Sequence, residues 1–214
     1  MSGMRLLDRH VGLLSGSLRT LVQRESDRRR FADTPHGWLF QPYMGEEAVA
    51  LACRESQARP GELRVAAVVL TPRRVLTSHA WSDTLTMKGE HMPYRQERDD
   101  APASSVDSGT RIEVLAGFIG NRPVVGWQLD ALLAPLGRMF KATLGFGLPN
   151  AQVDLARLHA RQLRRLHPQA EVGPSINEAL SCWSLPLAWP SVQSEATAAA
   201  LLYQRLQSER LFTV

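Results

Sequence analysis

Cysteine is scarce in this chain. Only Cys53 and Cys182 occur, with no Cys-x-x-Cys pair, which excludes a disulfide framework and points to a cytoplasmic protein. No apolar run approaches the roughly 18 residues that a membrane span needs, so no membrane association is expected. The N-terminus carries arginines and short apolar pieces but no continuous apolar core followed by a small-residue cleavage site; a secretory signal is not expected. Lysine is nearly absent, Lys88 and Lys141 standing against 23 arginines among the 25 basic residues, a bias read as genome composition rather than phosphate recognition. There is no Gly-rich phosphate loop and no local Ser/His/Asp signature. The histidines lack a ligand spacing with Cys or carboxylates, which excludes a recognisable zinc motif.

What is present describes a globular protein. Hydrophobic residues make up 44% and charged residues 21% of 214 positions, enough for one well-buried domain with an N-terminal appendage. The net charge of +4 is concentrated: residues 1–30 hold seven arginines against Asp8, Glu25 and Asp27, a balance of +4, and the remainder is near neutral. Such an arm is either a solvated amphipathic helix or a contact for nucleic acid or an acidic partner.

Leu6, Leu7, Val11, Leu14, Leu18, Leu21 and Val22 recur at helical spacing over 4–23. Glu25 to Arg30 then reads as a charged exit and 33–37 as loop, so an arginine-rich arm (1–37) precedes a domain (38–214). Strand-like runs follow at 48–53, 63–70 and 75–81, the last two joined by a tight turn at 71–74. Residues 82–109 are polar and aperiodic and read as a long mobile loop. Helix is expected from Thr110, with Ile112, Leu115, Ala116 and Ile119 on one face. A turn at 121–123, a buried strand at 124–126, and helices at 129–144, 153–166, 175–183 and 194–211 complete the chain. This order predicts an α/β domain with a mixed sheet, without internal repeats.

The segment Leu115–Leu136 is the most informative. Phe118-Ile-Gly-Asn-Arg-Pro-Val-Val-Gly126 resembles the "FIG-x-RP-LVG" approach to the second motif of the DnaQ-like (DEDDh) 3′–5′ exonucleases, the epsilon-subunit type of bacterial DNA polymerase III. Gly145-Phe-Gly-Leu-Pro-Asn150 resembles the linker after that motif. Glu195-Ala-Thr-Ala-Ala-Ala-Leu-Leu-Tyr203 resembles the helix bearing the third motif. The likeness covers roughly residues 38–208 and implies a ribonuclease H-like fold: a mixed central sheet flanked by helices, here with an N-terminal helical arm. Such enzymes hydrolyse phosphodiesters with two Mg²⁺ or Mn²⁺ ions about 4 Å apart, held by four carboxylates, and use a histidine as general base.

The residues that would do this are missing. The resemblance places Ala52 and Arg54 where the first motif has Asp and Glu, Leu132 at the second-motif Asp, and Pro190 at the histidine; a one-residue slip there gives Trp189 or Ser191. Glu195 alone retains the expected chemistry. Glu55 is one residue out of phase and should face the other side of its strand. Asp130 lies about 200° round the helix from Leu132. One carboxylate does not hold two hydrated cations, and Arg54 adds a fixed positive charge. Arg54 and Glu195 are therefore expected to pair, unless Arg54 runs out to solvent and Glu195 is an ordinary surface residue.

These residues lead to a catalytically degenerate exonuclease-like protein that needs no cofactor and binds single-stranded nucleic acid or a protein partner. Arg157, Arg161, Arg164 and Arg165, with His159 and His167 nearby, form a helical stripe that is either phosphate-contacting or simply solvated. Trp127 and Trp189 either stack on a base or fill a pocket. Two rivals stand beside this reading. One is an active exonuclease that recruits Mg²⁺ or Mn²⁺ through Glu46, Glu47, Glu55 or Asp130; the other is a purely structural subunit docking through the arm and residues 82–109.

Overall fold

The computed structural model describes residues 18–57, 59, 61–86, 108–188 and 190–211. Its centre is a five-stranded mixed sheet built from β1 (Ala48–Glu55), β2 (Glu62–Leu70), β3 (Val75–Thr86), β4 (Val124–Gly126) and β5 (Gln152–Asp154), in the order β3-β2-β1-β4-β5. β2 runs antiparallel to β1 and β3, whereas β1, β4 and β5 are mutually parallel.

The period of two along the central strands sorts their side chains into two cores. Val49 and Leu51 of β1 and Leu63, Val65, Ala67 and Val69 of β2 pack against α2 (Ser108–Ile119) and α3 (Leu129–Leu144). Ala48, Ala50 and Leu70 face the opposite layer of α4 (Leu155–Leu166), α5 (Ile176–Cys182) and α6 (Val192–Leu211). Both faces are therefore covered, which is why these strands read as continuous apolar runs rather than alternating ones. On the second face alanine meets alanine: Ala196 lies with Ala52 and Ala66, while Ala198, Ala199 and Ala200 lie with Ala48 and Ala50. Small side chains on both surfaces let α6 approach the sheet closely, and this brings its first turn to the end of β1.

Several expectations change. The charged segment Glu25–Arg30 lies inside a helix, α1 (Leu18–Phe31), held in part by Glu25 pairing with Arg28 and Arg29; these spacings of three and four support a helix. The segment from 4 to 17 lies outside the described residues. β3 runs on to Thr86 instead of ending at 81, because its pairing with β2 continues to Glu62; of the rest of the expected loop, 87–107 is likewise outside the described residues and Ser108 and Gly109 already belong to α2. Val153 belongs to a fifth strand, not to a helix. That strand escapes periodicity because three residues carry no period, and Asp154 then starts α4, its carboxylate accepting from the amides of Ala156 and Arg157. Among the described residues no helix is long and apolar enough to cross a membrane.

Candidate functional site: a cleft at the carboxyl end of the sheet

A cleft of about 530 Å³ opens where β1 and β4 end. The carboxyl edge of parallel strands is where open α/β sheets generally hold ligands. Its walls include Ala52, Leu132 and Glu195 together with Trp127 and Glu55, so residues up to 143 positions apart in sequence meet in one place. Gly126 closes β4 tightly: a Cβ there would stand 2.9 Å from Leu129 Cδ1 and 3.0 Å from Leu51 O. That contact sets α3 against β1 and turns Leu132 into the cleft.

Arg54, on the last turn of pleat in β1, donates from Nη2 to Glu195 Oε1. The pair is partly exposed, with 48% and 25% of the two side chains accessible, so it is a solvent-screened bond. Its position matters more than its strength. Position 54, where the motif resemblance expects a carboxylate, carries a guanidinium, and Glu195 is engaged by it. Ala52 and Leu132 offer no donor atoms, and Pro190 is exposed ahead of α6. This donor set does not fit a pair of hydrated Mg²⁺ or Mn²⁺ ions, which need several convergent oxygens. Among the described residues, no three His, Cys, Asp or Glu side chains group as a metal site.

Glu55 is better placed than its phase on the strand suggests. It does lie on the opposite face of β1 from Arg54, yet it lines the cleft, because β1 ends at Glu55 and the neighbouring β4 is only three residues long. The cleft therefore straddles both faces of the sheet edge. Between the two acidic groups, Cys53 Sγ donates to Leu132 O at 3.1 Å. Burial, followed by the carboxylates of Glu55 and Glu195, pushes its thiol up to about 12. Cys53, which composition alone left without a role, thus lines the cleft between two carboxylates.

The other candidate carboxylates do not reach the cleft. Asp130 pairs outward with Arg157. Glu47 bonds Arg122 at 2.9 Å and precedes β1, eight residues and so about 26 Å of strand from Glu55; Glu46 is exposed beside it.

The arginine stripe is an outer face of α4. Arg157, Arg161, Arg164 and Arg165 are all exposed and fall within about 100° of helix surface. The nearby histidines do not extend it. His167 is exposed at the helix end, whereas His159 is fully buried between Trp127 and Trp183, with ring centroids 6.0 and 6.3 Å away. Trp183 Nε1 donates to His159 Nδ1 at 2.9 Å, so the neutral ring carries its proton on Nε2, which has no hydrogen-bond partner among the described residues. Burial lowers the pKa of His159. Trp127, anchored by its indole N–H to Pro174 O at 3.3 Å, forms part of the cleft wall; Trp189 lies outside the described residues.

The segments 118–123 and 145–150 occupy the other end of the same strands. Asn150, buried, donates to the carbonyls of Gly120 and Arg122, both at 2.7 Å. Gly120 has φ +61°, a left-handed conformation suited to glycine. Arg122 in turn ties Phe118 O to Glu47. Asp154, unremarked in the sequence, accepts from Leu129 N at 3.1 Å as well as capping α4, so it locks the starts of two helices. No protein-family model matches this chain, and neither does any curated protein.

Proposed function

We propose that this protein is a non-hydrolytic binding module on a ribonuclease H-like fold, a relative of the DnaQ-like exonucleases whose metal cleft is closed by an internal ion pair. The single observation carrying this reading is the Arg54–Glu195 bond at the carboxyl end of β1. The strand order β3-β2-β1-β4-β5, with β2 alone reversed, is the arrangement this fold requires and supports the assignment. So does the convergence of Ala52, Leu132 and Glu195 on one cleft, as alignment to the three motifs demands.

Hydrolysis through a rearranged site is disfavoured by position. Asp130 is turned outward by Arg157, Glu47 is held by Arg122, and Glu55 is left as the one additional carboxylate in the cleft. The exposed arginines of α4 favour a nucleic-acid contact outside the cleft, since phosphate binding calls for accessible cations along one face.

The test is to incubate the protein with labelled single-stranded DNA and Mn²⁺. Released mononucleotides should be absent. Binding, followed by anisotropy, should weaken as salt rises and should be reduced in Arg161→Ala/Arg164→Ala. Mononucleotide release would overturn the non-hydrolytic reading, and salt-independent binding would overturn the phosphate contact.

A further inference from the structure

Taken as free of metal, the reading on which this proposal rests, the cleft is not featureless. Its walls are apolar along Leu51, Leu132, Pro135 and Ile176, Trp127 adds an aromatic ring, and Glu55 and Glu195 supply negative charge. Glu195 is already engaged by Arg54. Glu55 is exposed and makes no ion pair among the described residues. The Cys53 thiol lies beside them, its pKa raised first by burial and then by these two carboxylates. Arg64, opposite Arg54 in the β1–β2 register, stands on the other side of the strand pair from Glu55 and is not part of the cleft wall.

We propose that the cleft is a docking site for an arginine side chain presented by an apolar segment of a protein partner. An arginine matches each feature separately. Its aliphatic stem suits the apolar walls, its planar guanidinium forks onto a carboxylate such as Glu55, and the same plane stacks on an indole such as Trp127. The chain itself already sets one guanidinium on Glu195. At about 530 Å³, the cleft falls within the roughly 300–1,000 Å³ of ligand-burying sites, which leaves room for apolar neighbours of the arginine. Phosphate finds no cation among the residues that line it.

The experiment uses the full chain and three ligands, acetyl-Leu-Arg-Leu-amide, acetyl-Leu-Glu-Leu-amide and arginine amide, followed by the indole N–H resonance of Trp127. The arginine peptide should shift that resonance saturably and the glutamate peptide should not. Glu55→Gln, at an exposed position that leaves the fold intact, should weaken binding about tenfold, as expected for losing one bond to a charged group. Ala131→Trp, on the exposed first turn of α3, should abolish it by filling the mouth. Equal binding of the two tripeptides, no binding of either, or no effect of Glu55→Gln would overturn the proposal. Arginine amide binding as tightly as the tripeptide would reassign the cleft to a small cation and overturn the protein partner. An Mn²⁺ titration separates the two levels: if Mn²⁺ raises the melting temperature, the metal-free reading fails, whereas peptide failure without any metal effect sinks this inference alone.

Discussion

The two ends of β1 and β4 have been treated differently. At the amino end Gly120, Arg122, Asn150 and Glu47 are tied into a closed set of bonds between backbone carbonyls and side chains. At the carboxyl end stand Ala52, Leu132 and the Arg54–Glu195 pair. The first set maintains strand and turn geometry. The second set leaves no strand or turn bond to maintain and borders the cleft instead. Resemblance in the first region therefore bears on the frame and is silent on activity, because fold and site are separable.

The contrast can be broken in several ways. The largest expected effect is on thiol chemistry at the carboxyl end. With its pKa raised from 9.0 to about 12, Cys53 should carry about a thousandfold less thiolate than an unshifted thiol at the same pH. Labelling with a disulfide reagent should modify exposed Cys182 first and Cys53 only on unfolding; two equally fast thiols would contradict the shift. At the amino end, Asn150→Ala strands two carbonyls and should destabilise the protein by about 2–3 kcal/mol in urea melts. A loss under about 0.5 kcal/mol would deny that end its structural role.

Arg54→Ala should cost less, about 0.5–1 kcal/mol, because the pair is solvent-screened, and the loss should shrink in high salt. Arg54→Glu goes further: it removes the guanidinium, sets a second carboxylate against Glu195 and should make the melting temperature depend on Mn²⁺. Metal indifference in that variant would mean that these side chains do not converge. The mildest effect is of pH. His159 has a lowered pKa in the folded state, so the unfolded chain binds more protons and stability rises with pH. The contribution is complete above about pH 6.5 and is lost as pH falls through the unfolded value of about 6.5 toward the folded one. His159→Phe should flatten this slope in melts between pH 7 and 5; an unchanged slope would place the titrating group elsewhere.

Much of this architecture is legible in the residues. The apolar runs at 48–53 and 63–70 announce buried strands, and the alanine-rich helix at 194–211 announces a close-packed face. That Ala52, Leu132 and Glu195 would meet follows from the motif resemblance and not from period, and the cleft does bring them together. Other features are not legible. β5 is too short for any period, and the presence of Glu55 in the cleft depends on where β1 stops relative to β4. His159 looks like part of a basic stripe because the arginines around it are four residues apart, yet it sits about 200° from Arg157 and turns into the core. Cys53 and Asp154 acquire their roles only through partners 79 and 25 residues away.

The central claim is that an internal guanidinium stands where a metal would be held. Thermal melting of the wild-type chain with and without millimolar Mn²⁺ tests it most directly, since a ligand bound only by the folded state raises stability with its concentration. The account predicts coincident melts. A melting temperature that climbs with Mn²⁺ and saturates would contradict it.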